Sequence, residues 1–225
     1  MSPKYKAVIF DIGDVLFTWS TSAVTAVSAK IIHSMVNHPV WSEFERGEIA
    51  ANTCYDRLAN AFSISNGQEV ADAFQQARAS LAPDSAMIEL LHRIRQETGV
   101  NTESNHDQVA LYAMSNISKE DYDFIRGLDA PWHLFDNVFA SGYAGMRKPE
   151  PRFYKFVLRQ INLEECPGDV IFVDDKLENI EAAREVGLHG VHFDGASKTA
   201  YEVERLLNFR DAPVPSRNAP IPKHS

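Results

Sequence analysis

"KAVIFDIGDVLFTW" spans Lys6 to Trp19 and changes character half-way along. Val8, Ile9 and Phe10 form an apolar run that meets Asp11, then Gly13, then a second carboxylate at Asp14. A continuous rather than alternating run fits a strand covered on both faces, as in a parallel sheet. Carboxylates at the end of such a strand are costly unless something uses them.

Three further runs share this grammar: Val109 to Met114, Val138 to Ala140 and Val170 to Val173. Helical spacing lies between them. Met87, Leu90, Leu91 and Ile94 recur at that period, as do Phe153, Phe156, Val157 and Ile161 after Pro151. Leu177, Ile180, Ala183 and Val186 repeat it and stop at Gly187, a residue suited to ending a helix. Strand alternating with helix predicts an α/β fold with a doubly wound, Rossmann-like parallel sheet.

From Ser20 to Leu81 no strand pattern appears, while Val24, Val27, Ile31 and Met35, then Tyr55, Leu58 and Phe62, keep helical spacing. This predicts a small all-helical insertion over 20–81, within a core formed by 1–19 and 82–210. The polar segment Asn101 to Asp107 reads as a surface loop. Residues 211–225, with four prolines and little to pack, read as a disordered tail.

At 225 residues the chain can bury a sizeable core, and 44% hydrophobic with 24% charged residues is ordinary for a globular enzyme. A formal charge of −9 without any Lys/Arg run argues against nucleic acid as a partner. It leaves an anionic substrate open, because a local cation reverses the field inside a cleft. No stretch is apolar enough to span a membrane, and the opening Met-Ser-Pro-Lys is no signal peptide, so a cytoplasmic monomer or homodimer is expected. Cys54 and Cys166 fit no metal spacing and read as buried free thiols.

Ligands of open parallel sheets bind beyond the carboxyl ends of the strands. Asp11 follows the first run, Ser115 and Asn116 the second, Asp174 and Asp175 the fourth. The third leads through a glycine-containing loop to Lys148. Clustered carboxylates need a hard cation, and oxygen ligands of this kind suit Mg²⁺. With one lysine and Ser/Asn donors, that set would cradle a phosphoryl group while an aspartate attacks phosphorus.

These segments, "FDIGDVL" (Phe10 to Leu16), "MSN" (Met114 to Asn116), "GMRKPEP" (Gly145 to Pro151) and "FVDDKLENIEAA" (Phe172 to Ala183), resemble the four motifs of the haloacid dehalogenase (HAD) superfamily in order. "FERGEI" (Phe44 to Ile49) resembles the branch of a bacterial sugar-1-phosphate phosphatase and the amino-terminal phosphatase domain of soluble epoxide hydrolases. The resemblance implies a helical cap over 20–81 and a Mg²⁺-dependent phosphatase of small phosphorylated metabolites. It makes Asp11 the nucleophile and a metal ligand, with the Gly13 carbonyl and Asp175 as further ligands. Ser115, Asn116 and Lys148 would hold the phosphoryl group, and Asp174 would orient Lys148 or a metal-bound water.

One position departs from the pattern. Most phosphatases of the superfamily carry an acid–base aspartate two residues after the nucleophile, where this chain has Gly13. Asp14 or a residue of the cap would have to replace it. Asp174 to Glu178 also reads as DDxxE, which keeps open a terpene-pathway enzyme acting on prenyl phosphate or diphosphate. A 2-haloacid dehalogenase and a catalytically weak binding module are the remaining alternatives.

Overall fold

The computed structural model describes residues 4–20, 27–99 and 108–209. Five parallel strands form the central sheet: β1 (Ala7–Phe10), β4 (Ala110–Ser115), β5 (Asn137–Ala140), β6 (Val170–Asp174) and β7 (His189–His192), in the order β5-β4-β1-β6-β7. Two short strands, β2 (Phe17–Thr18) and β3 (Ala82–Pro83), pair antiparallel outside it. The chain runs outward from β1 to β5, then returns across β1 to build β6 and β7. Asp11 and Asp174 therefore flank the point where the strand order reverses, the place where such sheets bind ligands.

All four β1 residues are buried. Full burial of a Val, Ile or Phe side chain is worth about 1.5–3 kcal/mol, so the strand's middle stays apolar and acids begin only at its end. Alternate residues feed opposite faces. Val8 and Phe10 join the apolar cluster under α5 (Ser85–Gly99) and α10 (Ala196–Leu206), whereas Ala7 and Ile9 join the cluster under α8 (Pro151–Gln160) and α9 (Leu177–Val186). Helix α9 ends at Gly187, whose φ of 103° is a conformation glycine adopts without strain.

Between β2 and β3 lie α1 (Ala29–Val36), α2 (Pro39–Glu45), α3 (Ala51–Ala61) and α4 (Gly67–Ala79). They enclose an apolar cluster of their own, built on Ile32, Met35, Trp41, Phe44, Leu58 and Phe74. Helix α6 (Lys119–Arg126) follows β4, and the single turn α7 (Ser141–Ala144) follows β5.

Two elements escape the periodicity argument for physical reasons. Helix α6 buries only Ile125 among its residues, so it has no apolar stripe to read. Strand β7 is an edge strand whose two histidines bracket Gly190 and Val191, too short and mixed for a run. Cys54 is buried as expected, but Cys166 is exposed in the turn before β6, where nothing packs over it. The predicted loop 101–107, the tail 211–225 and Val24 lie outside the described residues. No described helix is long and apolar enough to cross a membrane.

Candidate active site

Asp11 extends the ladder past β1, its N–H donating to the Val173 carbonyl at 2.8 Å. Its Oδ1 accepts from the Ile12 N–H at 2.7 Å and pairs with Lys148 Nζ at 2.8 Å. No described residue bonds its Oδ2. One carboxylate oxygen is thus fixed and the other is free to act.

Lys148 is 1% exposed and its ammonium also meets Asp174 Oδ2 at 2.7 Å and the Met114 carbonyl at 2.9 Å. Burial by itself would lower its pKa, but Asp11 and Asp174 outweigh that and raise it. Asp174 is fully buried; its Oδ1 accepts from Lys176 N–H at 2.9 Å and from Asn179 Nδ2 at 2.8 Å. Both Asp174 oxygens are therefore engaged by protein donors. Within the DDxxE stretch, Asp174 is bonded to the lysine and Glu178 is exposed at the start of α9.

Asp175 is half-buried, and no described residue bonds its carboxylate. Burial, with Asp174 beside it, pushes its pKa up to about 6. Burial also pushes Asp11 up to about 7, against the pull of Lys148 and with help from Asp174 and Asp175. Oxygens of Asp11, Asp174 and Asp175 lie within 4.8 Å of one another. Two carboxylates with unpartnered oxygens and disfavoured charge form a donor set that a hard divalent cation fits.

Ser115 ends β4, buried, with its hydroxyl free of described partners. Asn116 is tied to the lysine's loop. Its Oδ1 accepts from the Lys148 N–H at 2.7 Å and its Nδ2 donates to the Lys148 carbonyl at 2.8 Å. The carboxamide clamps the lysine's backbone. Gly13 is exposed, and a Cβ built there meets nothing within 4 Å. Asp14 is exposed with φ 56°, and its Oδ2 accepts from Trp19 Nε1 at 3.3 Å. A short aspartate tolerates that left-handed turn.

Beside these groups opens a cavity of about 180 Å³. Ser115, Asn116 and Gly13 line one part of it, and Trp19, Trp41 and Phe74 line another. Trp41 stacks on Phe74 at 4.3 Å between ring centroids. The pair Arg78–Asp121, 2.9 Å, bridges α4 and α6 at its wall, with Arg78 also donating to Tyr55 Oη and the Phe74 carbonyl. Phe74 and Arg78 escape motif reading because nothing but the folded packing marks them out among the other residues of α4.

A buried aspartate past the end of β1, a lysine ion-paired to it from the loop before α8, and a second carboxylate pair at the end of β6 match one family's arrangement. The model for haloacid dehalogenase-like hydrolases fits residues 5–187. The chain belongs to that family. It is 39% identical over 207 residues to a sesquiterpene phosphatase of Aspergillus oryzae, covering 92% of this chain and 99% of that one. It is 38% identical over 202 residues to a drimenol cyclase of Aspergillus calidoustus, covering 90% of this chain but only 36% of the cyclase. Among solved structures, an HAD-like hydrolase from Porphyromonas gingivalis superposes with a TM-score of 0.70 at 19% identity, covering 92% of this chain and all of that one. An HAD family enzyme from Bacteroides thetaiotaomicron, solved with magnesium and inorganic phosphate, gives 0.63 at 18% identity, covering 84% and 93%.

Proposed function

We propose that this HAD-like hydrolase is a Mg²⁺-dependent phosphatase whose substrate carries its phosphate on an apolar, terpene-class skeleton. The observation that carries the reading is the juxtaposition of the Asp11–Lys148 pair with a cleft walled by Trp19, Trp41 and Phe74. A sugar phosphate would leave that aromatic wall without hydrogen-bonding work to do, whereas a hydrocarbon skeleton buries against it. The likeness to a sesquiterpene phosphatase over nearly the whole chain supports the same class.

Asp11 Oδ2 attacks phosphorus, the ester P–O bond breaks, and the leaving oxygen departs with its electron pair. Water then attacks the aspartyl-phosphate, releasing phosphate and restoring Asp11. Lys148 balances charge on Asp11 and on the phosphoryl oxygens, and Asp174, Asn179 and Asn116 hold it in place. Ser115 donates to the phosphoryl group. Asp11, Asp175 and the Gly13 carbonyl would hold Mg²⁺, which would supply charge neutralisation for the transferring oxygens. Helices α1–α4 act as the cap that closes the cleft.

The test is phosphate release, with and without Mg²⁺, from farnesyl monophosphate, farnesyl diphosphate and glucose 1-phosphate. Faster Mg²⁺-dependent release from the farnesyl compounds supports the reading. Preference for glucose 1-phosphate overturns its substrate class.

A further inference from the structure

Helix α2 carries Trp41 and Glu45 four residues apart, on one face. Trp41 is a wall of the cleft, and its indole Nε1 donates to Glu45 Oε1 at 3.1 Å. The other oxygen, Oε2, receives Nε and Nη2 of Arg147, each at 2.9 Å. Arg147 immediately precedes Lys148. The cap is therefore joined to the lysine's loop through one carboxylate that is only 8% exposed.

Backbone contacts reinforce the join. Ser141 Oγ donates to the Glu45 carbonyl at 2.7 Å. Gly47, at φ 68°, sits so near the core that a Cβ there would fall 2.6 Å from the Gly142 carbonyl oxygen. Arg46 reaches Glu150, on the far side of Lys148, at 3.5 Å. The stretch Phe44 to Ile49 is thus where cap and lysine loop abut. A buried carboxylate costs several kcal/mol unless its partners are well placed, so its position here is tightly specified.

We propose that Glu45 is a positioning residue that couples filling of the apolar cleft to the placement of Lys148. A skeleton packed against Trp41 holds the indole on Glu45, and Glu45 holds Arg147 and with it the lysine's loop. Binding energy from the part of the substrate that does not react is thereby used at the reacting centre, where it raises kcat rather than merely lowering KM. The inference rests on the proposed phosphatase function.

The experiment compares kcat and KM of wild type, Glu45→Gln and Trp41→Phe on farnesyl monophosphate and on p-nitrophenyl phosphate, with Mg²⁺. Trp41→Phe keeps a ring in the wall and removes the indole N–H, so it carries the test if Glu45→Gln melts early. Both variants are expected to lose about ten- to hundredfold in kcat on the farnesyl ester, the scale of a small misplacement of a catalytic group. The loss on p-nitrophenyl phosphate should be several times smaller. Equal losses on the two substrates, or a rise in farnesyl KM with kcat kept, overturn the coupling while leaving the phosphatase reading intact. Wild-type protein inert towards both esters overturns the proposed function and this inference with it.

Discussion

Lys148 and Asp11 form a 2.8 Å ion pair in which the lysine side chain is 1% exposed. A buried ammonium between two carboxylates is stable only as a set. Replacing Lys148 by Met keeps much of the volume but leaves Asp11 and Asp174 without their cation. Breaking such a pair costs about 3–5 kcal/mol. The melting temperature of Lys148→Met should fall, and fall further at pH 8 than at pH 5.5, where Asp11 can take up a proton instead. Equal destabilisation at both pH values would mean that the lysine is not holding that carboxylate's charge.

Asp11→Asn retains the oxygen that accepts from Ile12 and Lys148, so the fold should survive with a melting temperature near that of wild type. An amide cannot attack phosphorus, so phosphate release should fall to background. A variant keeping more than a few per cent of turnover would remove Asp11 from the nucleophile's role.

The pKa shifts give a signed pH dependence. Asp11 and Asp175 are raised to about 7 and about 6 in the metal-free protein. The folded state therefore holds protons that the unfolded state releases near the ordinary carboxylate value. Their contribution to stability is present below about pH 4 and is lost as pH rises towards about 7. A cation competes with those same protons, so Mg²⁺ affinity by calorimetric titration should strengthen from pH 5.5 to 7.5 and then level off. Asp175→Asn should weaken it by at least about tenfold. Affinity that ignores both pH and Asp175→Asn would exclude these carboxylates as ligands.

The sheet was legible because its strands are buried on both faces: Val8 to Phe10 and Val170 to Val173 have no solvent side to disguise their pattern. The residues at those strand ends could be read with it, since in a parallel sheet chain position and spatial position coincide there. Elsewhere the chain holds back. Asn116 was readable as a donor, but its pairing with the Lys148 backbone is fixed by a loop 32 residues away in sequence. Trp41, Phe74 and Arg78 belong to a wall made by packing helices against one another, and no local period encodes which faces meet. Glu45 stood inside a legible phrase, yet its partner Arg147 is brought to it only by the fold.

Gly13 yields a further prediction. Position 13 has no carboxylic acid, and a Cβ there would meet nothing within 4 Å, so a side chain can be added without steric cost. Without an acid the leaving oxygen departs largely as an anion, and rates should depend steeply on leaving-group acidity. Aryl phosphates and diphosphates should outrun simple alkyl phosphates in the wild type. A positioned acid contributes about 10²–10⁴-fold, so Gly13→Asp should flatten the series by speeding the poor leaving groups most. Asp14 offers the competing account, because it is exposed one residue on and already bonded to Trp19 at the cleft wall. A leaving-group series on wild type, Gly13→Asp and Asp14→Ala separates the two. A series that is flat in the wild type and turns steep in Asp14→Ala assigns the acid to Asp14 and overturns the reading of Gly13. A series already steep in the wild type and unchanged in Asp14→Ala leaves Asp14 with Trp19 and the turn.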